Sequence, residues 1–71
     1  MRIKLSDGGE VARLLRFLAF DPNAMVKQTA DDEIEVWFVG SLNVWAQQAE
    51  TELRLRSWLA AHPDVVATML D

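Results

Sequence analysis

Apolar and polar positions change period several times along the chain, and each change marks an element. Arg2-Ile3-Lys4-Leu5 alternates basic with apolar residues, the period-two signature of a strand with one buried and one wet face, and sends Ile3 and Leu5 to a core. Val11, Leu14, Leu15 and Leu18 then recur at helical spacing, with Arg13 and Arg16 on the outer side. Asp7 is the expected N-cap of that helix, and Glu10 three positions on completes a capping-box-like start. Pro22 disfavours helical geometry at Asp21, so the helix should stop near Phe20, and Pro22-Asn23 is turn chemistry.

Residues 24 to 29 read as a weak second strand and Ala30-Asp31-Asp32 as a hairpin turn. The run Glu33-Ile34-Glu35-Val36-Trp37-Phe38-Val39 is the clearest strand: Ile34, Val36 and Phe38 share one face, and Glu35, Trp37 and Val39 the other. Gly40-Ser41 breaks it. Ser41 or Asn43 then caps a long second helix that runs to about His62 and is ended by Pro63. That helix has two apolar edges, Ala46, Ala49, Leu53 and Ala60 on one side and Leu55, Trp58 and Leu59 on the other. Residues 64 to 70 are β-branched and apolar; a frayed continuation of the helix is the alternative, but the break at Pro63 favours a fourth strand.

The order strand, helix, strand, strand, helix, strand, with short connections throughout, predicts an α+β fold of the ferredoxin-like βαββαβ kind. Its four-stranded antiparallel sheet would carry both helices on one face. A chain of 71 residues has room for one domain, spanning residues 1–71.

Composition removes several functions. The formal charge of −4, with 11 acidic against 7 basic residues, repels phosphate backbones, so no nucleic-acid partner is expected. Cysteine is absent, which excludes disulfides and thiolate metal sites. No apolar run approaches the ~20 residues that span a bilayer, and Met1-Arg2-Ile3-Lys4-Leu5 is no signal-peptide core, so no membrane association and a cytoplasmic location are expected. His62 is the single imidazole, placed where a cation suits the end of a helix, and it has no second ligand at usable spacing. The run Asp31, Asp32 and Glu33 reads as a solvated hairpin tip rather than a cation site. With no Cys, no Tyr and no second His, the chain offers too few groups for a positioned nucleophile and base, so no enzyme, catalytic residue, metal or cofactor is expected.

Binding surfaces are the remaining candidates. The expected register puts Arg2, Lys4, Lys27, Glu35 and Trp37 on the open side of the sheet, with the indole within reach of Arg2 or Lys4. Such a cluster either covers the sheet as cross-strand packing or serves as an aromatic anchor for another subunit or protein. The last strand, carrying Val66, would form an apolar edge guarded only by Asp64 and Asp71, an edge that invites pairing. Lys4, Glu35, Trp37 and Val66 are therefore the interface candidates, for a homodimer or another protein. Glu52 and Arg56, four apart near the middle of the angle between the apolar edges of the second helix, read as a structural ion pair.

Two resemblances add to this. Leu53-Arg54-Leu55-Arg56-Ser57-Trp58, followed by His62-Pro63 and an apolar tail ending in Leu70-Asp71, resembles the C-terminal half of short actinobacterial proteins of unknown function that also open on a basic-apolar strand. The turn Ser6-Asp7-Gly8-Gly9-Glu10-Val11 is similar to that of amino-acid-sensing ACT domains in Gly9 and Val11, while Gly8 and Ser6 stand where that family has proline and an acidic residue. This second resemblance implies a small-ligand site at Asp7, Gly8 and Gly9. The first expectation is nonetheless a protein-interaction or self-association module, with an ACT-like regulatory domain as the alternative.

Overall fold

The computed structural model describes residues 1–40 and 43–70. Four strands, β1 (Arg2–Leu5), β2 (Ala24–Ala30), β3 (Glu33–Phe38) and β4 (Ala67–Met69), form one antiparallel sheet in the order β2-β3-β1-β4. Helix α1 (Val11–Ala19) lies between β1 and β2 in sequence, and helix α2 (Val44–Ala60) between β3 and β4. The fold is thus α+β.

Alternation sorts the sheet into two faces. Ile3 and Leu5 of β1 and Ile34, Val36 and Phe38 of β3 are buried together with Val11, Leu14 and Leu18 of α1 and Leu55 and Trp58 of α2. Both helices therefore cover the same side of the sheet, and Ala24, Val26, Ala67 and Met69 extend that core to the outer strands.

Several boundaries differ from the expectation for physical reasons. Asp7 does cap, but what it caps is a 3₁₀ turn over Gly8–Glu10 that feeds α1: its Oδ1 accepts from the Gly9 amide at 2.9 Å. The Glu10 carboxylate lies 3.8 Å from Arg13 Nη1 instead of closing a capping box. Gly8 is required by close approach, since a Cβ there would stand 3.1 Å from the Asp31 carbonyl oxygen. At the far end of β3, Gly40 has φ +97°, the left-handed region that favours glycine.

The last strand forms, but over three residues rather than seven. The amides of Ala61 and His62 donate to Trp58 and Leu59, and Val65 donates to His62, so the chain spends residues 61 to 65 leaving the helix and reversing. Of the two proposed caps for α2, Asn43 does the work, its Oδ1 accepting from the Ala46 amide at 2.9 Å; Ser41 lies outside the described residues, as does Asp71.

Of the two expected apolar edges of α2, Leu55, Trp58 and Leu59 do turn to the core, whereas Ala49, Leu53 and Ala60 of the other do not. The buried stripe is Gln47, Thr51, Leu55 and Trp58, so it begins with two polar residues that the apolar pattern left out. Gln47 is buried because its carboxamide replaces a strand: the Phe38 amide donates to Oε1 at 2.8 Å and Nε2 donates to the Phe38 carbonyl at 2.6 Å. Thr51 in turn donates to the Gln47 carbonyl at 2.8 Å.

Candidate association surface

The uncovered sheet face is built by the same alternation that builds the core. Because Val36 and Phe38 turn inward, Glu35 and Trp37 turn outward, and the pairings Lys27 with Glu35, Arg2 with Glu35, and Met25 with Trp37 fix their neighbours. Glu35 therefore sits between a cation on each adjacent strand. Trp37 is 48% exposed, a large value for an indole, and Met25 and Val44 beside it are also exposed, whereas Val39, expected on the same face, lies past the end of β3 in a depression with Asp21, Phe38 and Arg54.

Trp37 stands as a wall between two open depressions of about 350 Å³ each. Met25, Val26, Lys27 and Glu35 line one; Met1, Arg2, Glu35, Val44 and Gln47 line the other. Val44 reaches this face because the Gln47–Phe38 bonds hold the first turn of α2 against the end of β3. The chain start is fixed there too: the Met1 ammonium donates to the Val36 carbonyl at 3.0 Å, and the Val36 amide donates to the Met1 carbonyl at 2.8 Å.

Arg2, Lys27, Glu35 and Trp37 are thus brought together, and two other interface candidates are not. Lys4 pairs in register with Glu33 and its Nζ lies 3.8 Å from Asp32 Oδ2, four residues or about 13 Å along the strand from Trp37. The expected reach between Lys4 and the indole is therefore not realised. Val66 is exposed but precedes β4, and both its backbone groups are taken by Ser6: its amide donates to Ser6 Oγ at 2.9 Å, and its carbonyl accepts from the Ser6 amide at 2.8 Å. Ser6 and Trp37 lie at opposite ends of the sheet, about 20 Å apart along the strands. A three-residue edge is a poor pairing template, and the longer edge is β2, with seven residues.

At the strand-to-helix turn, the Asp7 carboxylate is turned back onto Gly9 and Gly8 packs on the hairpin tip, so the groups that a ligand would use hold the turn itself. Glu52 and Arg56 do pair, at 2.8 Å, but on the surface, with the Arg56 side chain 77% exposed. A less exposed ion pair forms elsewhere on the helix. Arg54 Nη2 lies 2.7 Å from Asp21 Oδ2 and 3.3 Å from Glu50 Oε2, with its guanidinium 4.8 Å over the Phe38 ring. The i,i+4 spacing of Glu50 and Arg54 was a visible signal, but the partner Asp21 is distant in sequence.

His62 stacks on Trp58, with ring centroids 4.1 Å apart, and its Nδ1 lies 2.9 Å from the Trp58 carbonyl oxygen. Among the described residues, no group of three or more His, Cys, Asp or Glu is placed to hold a metal ion, and no helix is long and apolar enough to cross a membrane. No family model matches the chain, and no curated protein or solved structure matches it.

Proposed function

We propose that the protein is a self-association module whose open sheet face docks onto a second copy, with Trp37 as the anchor. The observation that carries this reading is the half-exposed indole between two depressions, flanked by Met25 and Val44 and bordered by Glu35 and two cations. An apolar centre inside a polar rim is the anatomy of a protein interface, and tryptophan is the residue most enriched among its energetic anchors. A rim holding both signs suits a second copy in particular, because a two-fold axis lets Glu35 of each chain meet Arg2 or Lys27 of the other. The molecule measures 32 × 22 × 22 Å, so one face offers on the order of 700 Å², close to the roughly 800 Å² per partner of ordinary specific interfaces.

The ferredoxin-like reading of the fold belongs with this proposal. The strand order β2-β3-β1-β4 and the placement of one helix before β2 and one before β4 support a split βαβ sandwich, an arrangement that leaves a whole sheet face for docking. The test is sedimentation equilibrium across a concentration series. The wild-type chain should give species of twice 8.0 kDa or heavier, and Trp37→Ala should weaken the sheet-face contact by at least about 2 kcal/mol, roughly 30-fold in Kd, and so lower the average mass. A Trp37→Ala chain with unchanged association would reject the proposal.

A further inference from the structure

Helix α2 carries apolar residues on the side that faces water as well as on the buried side, with the exposed Arg56 among the outer ones. Two of its four buried residues are polar, whereas Trp45, Ala49, Leu53 and Ala60 lie outside, with Trp45 82% and Leu53 66% exposed. At 3.6 residues per turn, positions 45, 49, 53, 56 and 60 fall within about a quarter of the helix circumference, opposite the buried stripe. Apolar residues on both sides mark a helix packed between two layers, and the chain itself supplies only one.

We propose that the outer face of α2 packs against the same face of a second copy, the two helices antiparallel about a two-fold axis beside Leu53. Complementarity of size and charge carries the assignment. At a rise of about 1.5 Å per residue, such an axis sets Leu53 against Leu53 and Ala49 level with Ser57 of the second copy. It also puts Trp45 within about 1.5 Å of the height of the other chain's Ala60, so the largest side chain meets one of the smallest. Glu52 comes within about 3 Å, in height, of Arg56 of the second copy, and symmetry repeats the pairing on the other side of the axis. The bridge that closes within one helix at 2.8 Å can therefore be exchanged for two bridges between helices. This is the self-complementarity that an isologous contact requires. The face points away from the sheet, on the opposite side of the molecule from Trp37, so the inference stands apart from the sheet-face reading.

The experiment is a charge exchange in a Trp37→Ala background, which removes the sheet-face anchor. Trp37→Ala alone should sediment at twice 8.0 kDa, below a wild type that uses both faces. Adding Glu52→Arg, or separately Arg56→Glu, places like charges across the axis and should return each chain to 8.0 kDa, with melting curves confirming that both remain folded. Mixing those two chains should restore the doubled mass as a heterodimer, because each acid again faces a base. A mixture that stays at 8.0 kDa, or a Trp37→Ala chain that is monomeric at every concentration, would overturn the proposal. Since the chain has no cysteine, Leu53→Cys offers an independent reading. Oxidation should link it into a disulfide dimer faster than Lys27→Cys in the same background, and equal rates would count against the axis.

Discussion

The side chain of Gln47 holds both backbone groups of Phe38, accepting from its amide at 2.8 Å and donating to its carbonyl at 2.6 Å. With Gln47 fully buried, these bonds have no water to replace them. Gln47→Leu keeps the volume but strands a buried N–H and a buried C=O, each at about 1–3 kcal/mol, for a total loss of about 2–6 kcal/mol. Urea unfolding should show that loss as a lowered midpoint, with the m-value unchanged if the fold is kept. Thr51→Val removes only the bond to the Gln47 carbonyl and should cost about 1 kcal/mol, or roughly 4–8 °C in Tm.

Gln47 also shows why the second helix was harder to read than the sheet. Strand faces follow from strict alternation, so Ile34, Val36 and Phe38 could be assigned inward and Trp37 outward from residue type alone. In α2 the buried stripe includes Gln47 and Thr51, whose burial depends on a backbone partner nine residues away and on a bond within the helix. Polarity therefore points the wrong way at these two positions, and the apolar edge that holds Leu53 faces water. The candidate site was legible where it rests on β1 and β3, in Arg2, Glu35 and Trp37. It was not legible where it needs Val44, which arrives only because Gln47 ties its helix to β3.

Arg54 and Arg56 lie two residues apart and should behave differently. Arg54 bonds Asp21 at 2.7 Å across the molecule and covers the Phe38 ring, while Arg56 makes one exposed i,i+4 pair. Arg54→Met should cost about 1–3 kcal/mol, because it leaves the partly enclosed Asp21 without its cation. Arg56→Met should change stability by less than about 0.5 kcal/mol. Thermal melts at low and high salt check both: the Arg54 effect should fall less with salt than the Arg56 effect, since its pair with Asp21 is the less exposed of the two.

Two glycines are constrained for different reasons and give separable outcomes. Gly40→Ala forces a Cβ into φ +97° where nothing crowds it, so its cost is conformational, about 1–2 kcal/mol. Gly40→Asn should recover part of that loss, since asparagine tolerates positive φ. Gly8→Ala instead brings a Cβ to 3.1 Å from the Asp31 carbonyl oxygen, a steric conflict with backbone that asparagine would worsen. Melting temperatures of the Ala and Asn pairs at each site distinguish the two causes.

The relation between Trp37 and Val66 makes the last prediction. A pairing edge centred on the final strand would make Val66→Lys as damaging to association as Trp37→Ala. In the structure β4 has three residues, the backbone of Val66 is already bonded to Ser6, and the two side chains lie at opposite ends of the sheet. Val66→Lys should therefore leave the sedimentation profile unchanged, while Trp37→Ala shifts it. Met25→Lys, beside the indole in the register, should follow Trp37→Ala, because it buries a charge in the apolar centre of the docked face. If Val66→Lys dissociates the protein and Met25→Lys does not, association runs through the β4 end of the sheet and the indole is only a cover for its own strand.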